Sequence, residues 1–151
     1  RLADIFGQYG EVRNARQVAK RIIERRLFQP IRTTGDLRVI VENVCRWRPR
    51  KGELHPAARV FQALRIFINR ELEEIDEWLR KIPGRLAAGA RIIFLTYHSL
   101  EDRIVKQAFR FLLQNGNIRP IDPYPAFPSP EEVLLNPPSR SAKMRAAETA
   151  R

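Results

Sequence analysis

Apolar positions along the chain mark out helices first and a strand later. From Glu11 to Leu27, Val12, Ala15, Ala19, Ile22 and Ile23 recur at helical spacing, with Arg13, Arg16, Lys20 and Glu24 on another face. Pro30 stops that helix. Thr33-Thr34-Gly35-Asp36 reads as a capping box, with Asp36 three residues after Thr33. A second helix follows through Leu37, Ile40, Val41 and Val44. Pro56 suits the first turn of a long third helix, in which Phe61, Leu64, Ile68, Leu72, Ile75 and Leu79 form one stripe. Arg59, Gln62, Arg65 and Asn69 lie on other faces, and the far end, from Glu71 to Glu77, is acidic. Pro83-Gly84 breaks the pattern.

The period then changes. Arg91-Ile-Ile-Phe-Leu is a short continuous apolar run, which predicts a strand over 91–97 buried on both faces. A helix from Leu100 to Leu113 is expected to bury Leu100, Ile104, Ala108 and Phe111 and to expose Arg103, Lys106 and Arg110. Seven of the eleven prolines fall between Pro120 and Pro138, so 119–138 reads as an extended excursion. Arg140 to Thr149 can return as a last strand or a short helix, and the strand is the expectation. Helices before Pro83-Gly84 and strands with a helix after it make an α/β pattern.

Between strand and helix sits the most polar cluster of the chain, Thr96-Tyr97-His98-Ser99-Leu100-Glu101-Asp102-Arg103. The C-terminal edge of a strand in an open α/β sheet is where ligands are held, so His98, Ser99, Glu101, Asp102 and Arg103 are the candidate pocket residues. Packing supplies a second account. Ser99 can cap the helix, Asp102 favours its positive N-terminus, and Arg103 can pair with an acid. His98, Ser99 and Asp102 do not read as a hydrolase triad, because neighbours on one turn point apart. Cys45, His55 and His98 are too widely spaced for a zinc site, and no metal is expected. Val133-Leu-Leu-Asn-Pro-Pro-Ser139 imitates the Asn-Pro-Pro motif of amino-methyltransferases, but Ser139 stands where that motif has its stacking aromatic.

Charge adds a partner. The 151 residues carry 28 Lys+Arg against 17 Asp+Glu, a formal +11, and residues 1–50 hold 12 of the basic and 5 of the acidic groups. The helical third is therefore the stronger footprint for a polyanion, with Arg13, Arg16 and Lys20 as phosphate contacts. Arg46-Trp47-Arg48-Pro49-Arg50-Lys51-Gly52 reads as a basic loop in which Trp47 either stacks on an unpaired base or packs on a neighbouring helix. The single cysteine and the lack of a secretory signal point to the reducing cytoplasm, and no stretch reaches membrane-spanning length. The chain opens on Arg1, as a fragment or a trimmed chain would. No Gly-rich strand-to-helix turn, P-loop or ribose-binding acid is present, so no cofactor-binding residue is assigned in this chain.

His55-Pro-Ala-Ala-Arg59, Phe61-Gln-Ala-Leu-Arg65, Asn69, His98-Ser-Leu-Glu-Asp-Arg103 and Asn136-Pro-Pro-Ser-Arg-Ser-Ala-Lys-Met-Arg145 together resemble the ribosomal RNA small subunit methyltransferase H family. Tyr9-Gly-Glu11 and Ala15-Arg16 continue the likeness. It departs from the usual pattern at Ala58, at Ala88-Gly-Ala-Arg91 and at Pro138. The resemblance implies the C-terminal part of a class I, Rossmann-like α/β fold, with residues 1–82 as most of an inserted all-helical domain and 83–151 as the final strands and helix of the methyltransferase domain. It further implies S-adenosylmethionine-dependent N4-methylation of a cytidine in the decoding region, with the cofactor held by residues outside this chain. Small-subunit ribosomal RNA, or the small ribosomal subunit, is then the partner, contacted by Arg59, Gln62, Arg65, Asn69, Arg13, Arg16, Lys20 and Trp47. A chain with only part of a sheet would also expose apolar surface, which makes a homodimer a further partner to consider. A non-catalytic RNA- or ribosome-binding module is the alternative reading.

Overall fold

A computed structural model describes residues 1–48 and 54–150. Residues 49–53 of the basic loop lie outside the described residues. The chain divides into two compact units, Arg1–Glu71 and Leu72–Arg151.

The first unit is helical: α1 (Leu2–Gly10), α2 (Ala15–Phe28), α3 (Thr34–Cys45) and α4 (Pro56–Asn69). The single helix expected from Glu11 to Leu27 starts later, because Glu11 takes a left-handed conformation (φ 49°) and its N–H closes α1 on the Phe6 carbonyl. Val18, Ala19 and Ile22 of α2 are buried, whereas Ile23 is 55% exposed. The Thr33 capping box forms: Asp36 N–H donates to the Thr33 hydroxyl at 3.1 Å and Thr33 N–H to the Asp36 carboxylate at 2.9 Å.

Helix α4 departs most from the sequence pattern. Its buried face is Ala57, Val60, Ala63 and Ile66, while Ile68, expected inside, is 71% exposed. Small residues win because α1 comes very close. A Cβ placed on Gly10 would lie 2.5 Å from the Arg59 carbonyl oxygen and 3.1 Å from Ala63 Cβ. Gly10→Ala is therefore expected to destabilise the unit by about 1–3 kcal/mol, the usual cost of overpacking. The mid-point of urea unfolding would report it, and an unchanged mid-point would disprove the close contact. Nor does α4 run on to Leu79. Arg70 is left-handed (φ 55°) and its N–H returns to Ile66, so α5 (Glu71–Lys81) is a separate helix.

In the second unit, β1 (Arg91–Thr96), β2 (Ile118–Pro120) and β3 (Lys143–Thr149) form an antiparallel sheet in the order β1-β3-β2. Thr96 pairs with Lys143, Phe94 with Arg145 and Ile92 with Ala147. Directly opposed residues share a face, and α6 (Ser99–Gln114) packs with this one. Its core is Leu79, Ile82, Ile92, Val105, Phe109, Leu112, Ile118 and Ala147. Two expectations fail here. The strand β1 is not buried on both faces, since Ile93 and Leu95 are 61% and 53% exposed on the face away from Ile92. The buried row of α6 is Val105, Phe109 and Leu112, with Ile104 and Ala108 partly covered and Phe111 65% exposed. The expected last strand does form, as the central one. The proline-rich excursion contains a short helix, α7 (Pro130–Leu135), and a 3-10 turn at Pro137–Ser141. Ala126 exchanges two backbone hydrogen bonds with Met144, at 2.8 and 2.9 Å, which ties the excursion back to β3.

Candidate functional site

The polar cluster lies where the sequence placed it, at the β1–α6 turn, but its members divide the work differently. The cap of α6 is His98, not Ser99. Glu101 N–H donates to His98 Nδ1 at 3.3 Å, and the Glu101 carboxylate accepts from the backbone N–H of Tyr97 at 2.9 Å and of His98 at 3.4 Å. His98 Nε2 also lies 2.9 Å from Glu101 Oε1, an approach too poorly aligned for a hydrogen bond but close enough for charge to act. Burial raises the Glu101 carboxyl, and the His98 ring and these N–H donors outweigh it, so its pKa is lowered. Glu101 is thereby committed to shaping the turn.

Asp102 faces the sheet. Period two along β3 puts Lys143 and Arg145 on the α6 face, and both reach this carboxylate: Lys143 Nζ donates to Oδ2 at 3.1 Å and an Arg145 guanidinium N–H to Oδ1 at 2.8 Å. Burial raises the Asp102 pKa, but Arg145 and then Lys143 reverse the balance and hold the group ionised. Arg145 itself is buried and rests its guanidinium 5.5 Å over the Tyr124 ring. A carboxylate keeps acceptor capacity beyond two donors, so Asp102 can still take a hydrogen bond from a ligand amine.

A cleft of about 280 Å³ opens beside this pair, lined by His98, Ser99 and Asp102 with Tyr97, Phe127, Arg140 and Lys143. Three of the five expected pocket residues thus share one cavity, whereas Arg103 is exposed on α6. Sequence reading missed Tyr97, Phe127, Arg140, Lys143 and Arg145 as site residues. The alternation of Lys143 and Arg145 along a strand was the available signal for the last two.

The expected RNA contacts all lie in the first unit. Arg13, Arg16 and Lys20 are exposed on or just before α2 and border two open clefts that also include Asn14 and Gln17. Arg59 stands 3.9 Å from Glu11, and Gln62 is half-buried. Arg65 forks onto Glu71 at 2.7 and 3.1 Å, and the Asn69 amide donates to the same carboxylate at 3.3 Å. Both help to fix the end of α4. Trp47 is half-buried with its ring 5.1 Å from that of His55, edge to face. His55 accepts from Ala57 N–H at the start of α4 and meets Glu42 at 2.9 Å. Among the described residues no helix is long and apolar enough to cross a membrane.

Comparison with known proteins sets this geometry in context. The chain is 44% identical over 149 residues to a ribosomal RNA small subunit methyltransferase H from Trichodesmium erythraeum, covering 98% of this chain and 50% of the relative. It is 46% identical over 144 residues to the protein of the same name from Coprothermobacter proteolyticus, covering 95% and 47%. The chain therefore spans about half the length of the curated relatives it matches. The family model described as the MraW methylase family matches residues 1–150, and the chain belongs to that family.

Proposed function

We propose that these residues are the substrate-side part of an S-adenosylmethionine-dependent enzyme that methylates N4 of a cytidine in the decoding region of small-subunit ribosomal RNA. The observation that carries this reading is the ionised Asp102, pinned by Arg145 and Lys143 at the wall of a cleft, in a chain of the methylase family. An exocyclic amine is poorly nucleophilic because its lone pair is delocalised into the ring. It needs acceptors that orient it towards the methyl donor, and a carboxylate accepts well from cytosine N4. The base must also leave its stack to reach such a pocket.

In this reading residues 1–82 are an all-helical domain inserted into a class I methyltransferase fold, and 83–151 are that fold's C-terminal strands and helix. Helix α5 stands at the junction, with Leu79 in the core of the second unit. Arg13, Arg16 and Lys20 meet phosphates, Arg59 and Gln62 lie near the RNA, and Arg65, Asn69 and Trp47 act mainly by holding the helices that carry those groups. His98, Ser99 and Asp102 border the target base, Glu101 braces the turn, and Arg103 faces outward to the RNA. S-adenosylmethionine is held by residues outside this chain, which by itself does not turn over.

A chimera provides the test. Residues 1–150 replace the matching half of the Trichodesmium relative, and the product is incubated with labelled S-adenosylmethionine and small subunits lacking the modification. Label on N4 of one decoding-region cytidine is expected. Label on another atom or base, from a folded chimera, overturns the reading.

A further inference from the structure

The cleft at the β1–α6 turn contains two rings that the assigned chemistry does not use. Phe127 is 65% exposed and Tyr97 50% exposed, and among the described residues neither ring packs on another. Isolated surface hydrophobes are ordinary, but these line one cavity and the backbone at or beside each is hydrogen-bonded in place. The paired hydrogen bonds between Ala126 and Met144 fix the backbone immediately before Phe127. The Tyr97 N–H is tied to Glu101. We propose that the cleft takes a single unstacked nucleobase, with Phe127 as its stacking platform, Tyr97 as a second wall and Arg140 on the adjoining phosphate. The proposal rests on RNA being the partner of this chain.

Size and charge favour that occupant. At about 280 Å³ the cleft falls just below the roughly 300–1,000 Å³ of sites for drug-sized ligands, which leaves room for one base. Arg140 is exposed on the rim and Lys143 is partly exposed, so a polyanionic strand meets cations as its base enters. An apolar protein segment would cover Arg140 without giving its charge a compensating partner. Every base has a π-face, so Phe127 supplies affinity without discrimination. Recognition of the amine falls to Asp102.

The test uses the full 151-residue chain and a single-stranded RNA hexamer carrying one pyrrolocytosine, whose fluorescence falls when the base stacks. Saturable binding with quenching is expected. Phe127→Ala should weaken binding about tenfold and abolish the quench, Phe127→Leu should also lose the quench, and Phe127→Tyr should keep both. Arg13→Ala with Arg16→Ala should lower affinity and leave the quench of the bound state intact. If Phe127→Ala binds and quenches as the parent does, the stacking assignment is wrong while RNA binding stands. If the parent binds no RNA at all, the RNA reading itself fails and the proposal falls with it.

Discussion

Replacing Phe109 with Ala is expected to remove about 3–5 kcal/mol from the stability of the second unit, the range for truncating a buried aromatic. Phe109 has no exposed surface. Its ring meets Phe94 edge to face at 5.7 Å and lies parallel to Tyr124 at 6.4 Å. It shares the core with Ile92, Val105, Leu112 and Ala147, on helix and strands that cannot all collapse into the space. Phe111, two residues on, is largely exposed, and Phe111→Ala is expected to change stability by less than about 0.5 kcal/mol. Urea unfolding followed through Trp78, which packs edge to face on Phe94, reads both variants in a Trp47→Phe background. Equal effects would mean that the register of α6 is wrong.

That contrast shows where the sequence is legible. Signals carried by neighbours in the chain survive folding. The Thr33–Asp36 box, Pro56 at a helix start, the β1 run and the final strand all form, because each is decided within a few residues. Choices between equivalent faces are not local. Phe109 and Phe111 both fit a helical stripe, and the sheet decides which is covered. The break at Arg70 carries no glycine or proline to announce it. Ser99 is the better cap by residue type, yet His98 holds the position because its ring can accept from Glu101 N–H while Glu101 answers from the third residue.

The site follows the same division. The cluster His98 to Asp102 was visible as polar residues crowded behind an apolar run. Its partners were not, since Lys143 and Arg145 lie 41 and 43 residues from Asp102 and Phe127 sits in a proline-rich stretch without periodicity. Antiparallel pairing of β1 with β3 brings them together, and no short window of sequence encodes that pairing.

Asp102→Ala is expected to cost about 3–5 kcal/mol at neutral pH, as for removal of one partner from a buried ion pair. The loss would arise mainly on Arg145. That guanidinium is buried, its Nε has no hydrogen-bond partner, and the Asp102 carboxylate is its charge partner among the described residues. The pH dependence separates this from a packing defect. Because the folded pKa of Asp102 is lowered, its contribution is present in full above the unfolded value of about 3.9 and fades as pH falls through the folded one. The gap between parent and variant should therefore be widest near neutrality and narrow steadily below about pH 4. A constant gap from pH 7 to pH 3 would show that Asp102 acts through packing rather than charge. Asp102→Ala paired with Arg145→Met should recover much of the loss, because no buried charge is then left alone. That double variant also isolates function. If it folds as well as the parent and its chimera still methylates at the parental rate, Asp102 is a structural strut and not an acceptor for the target amine.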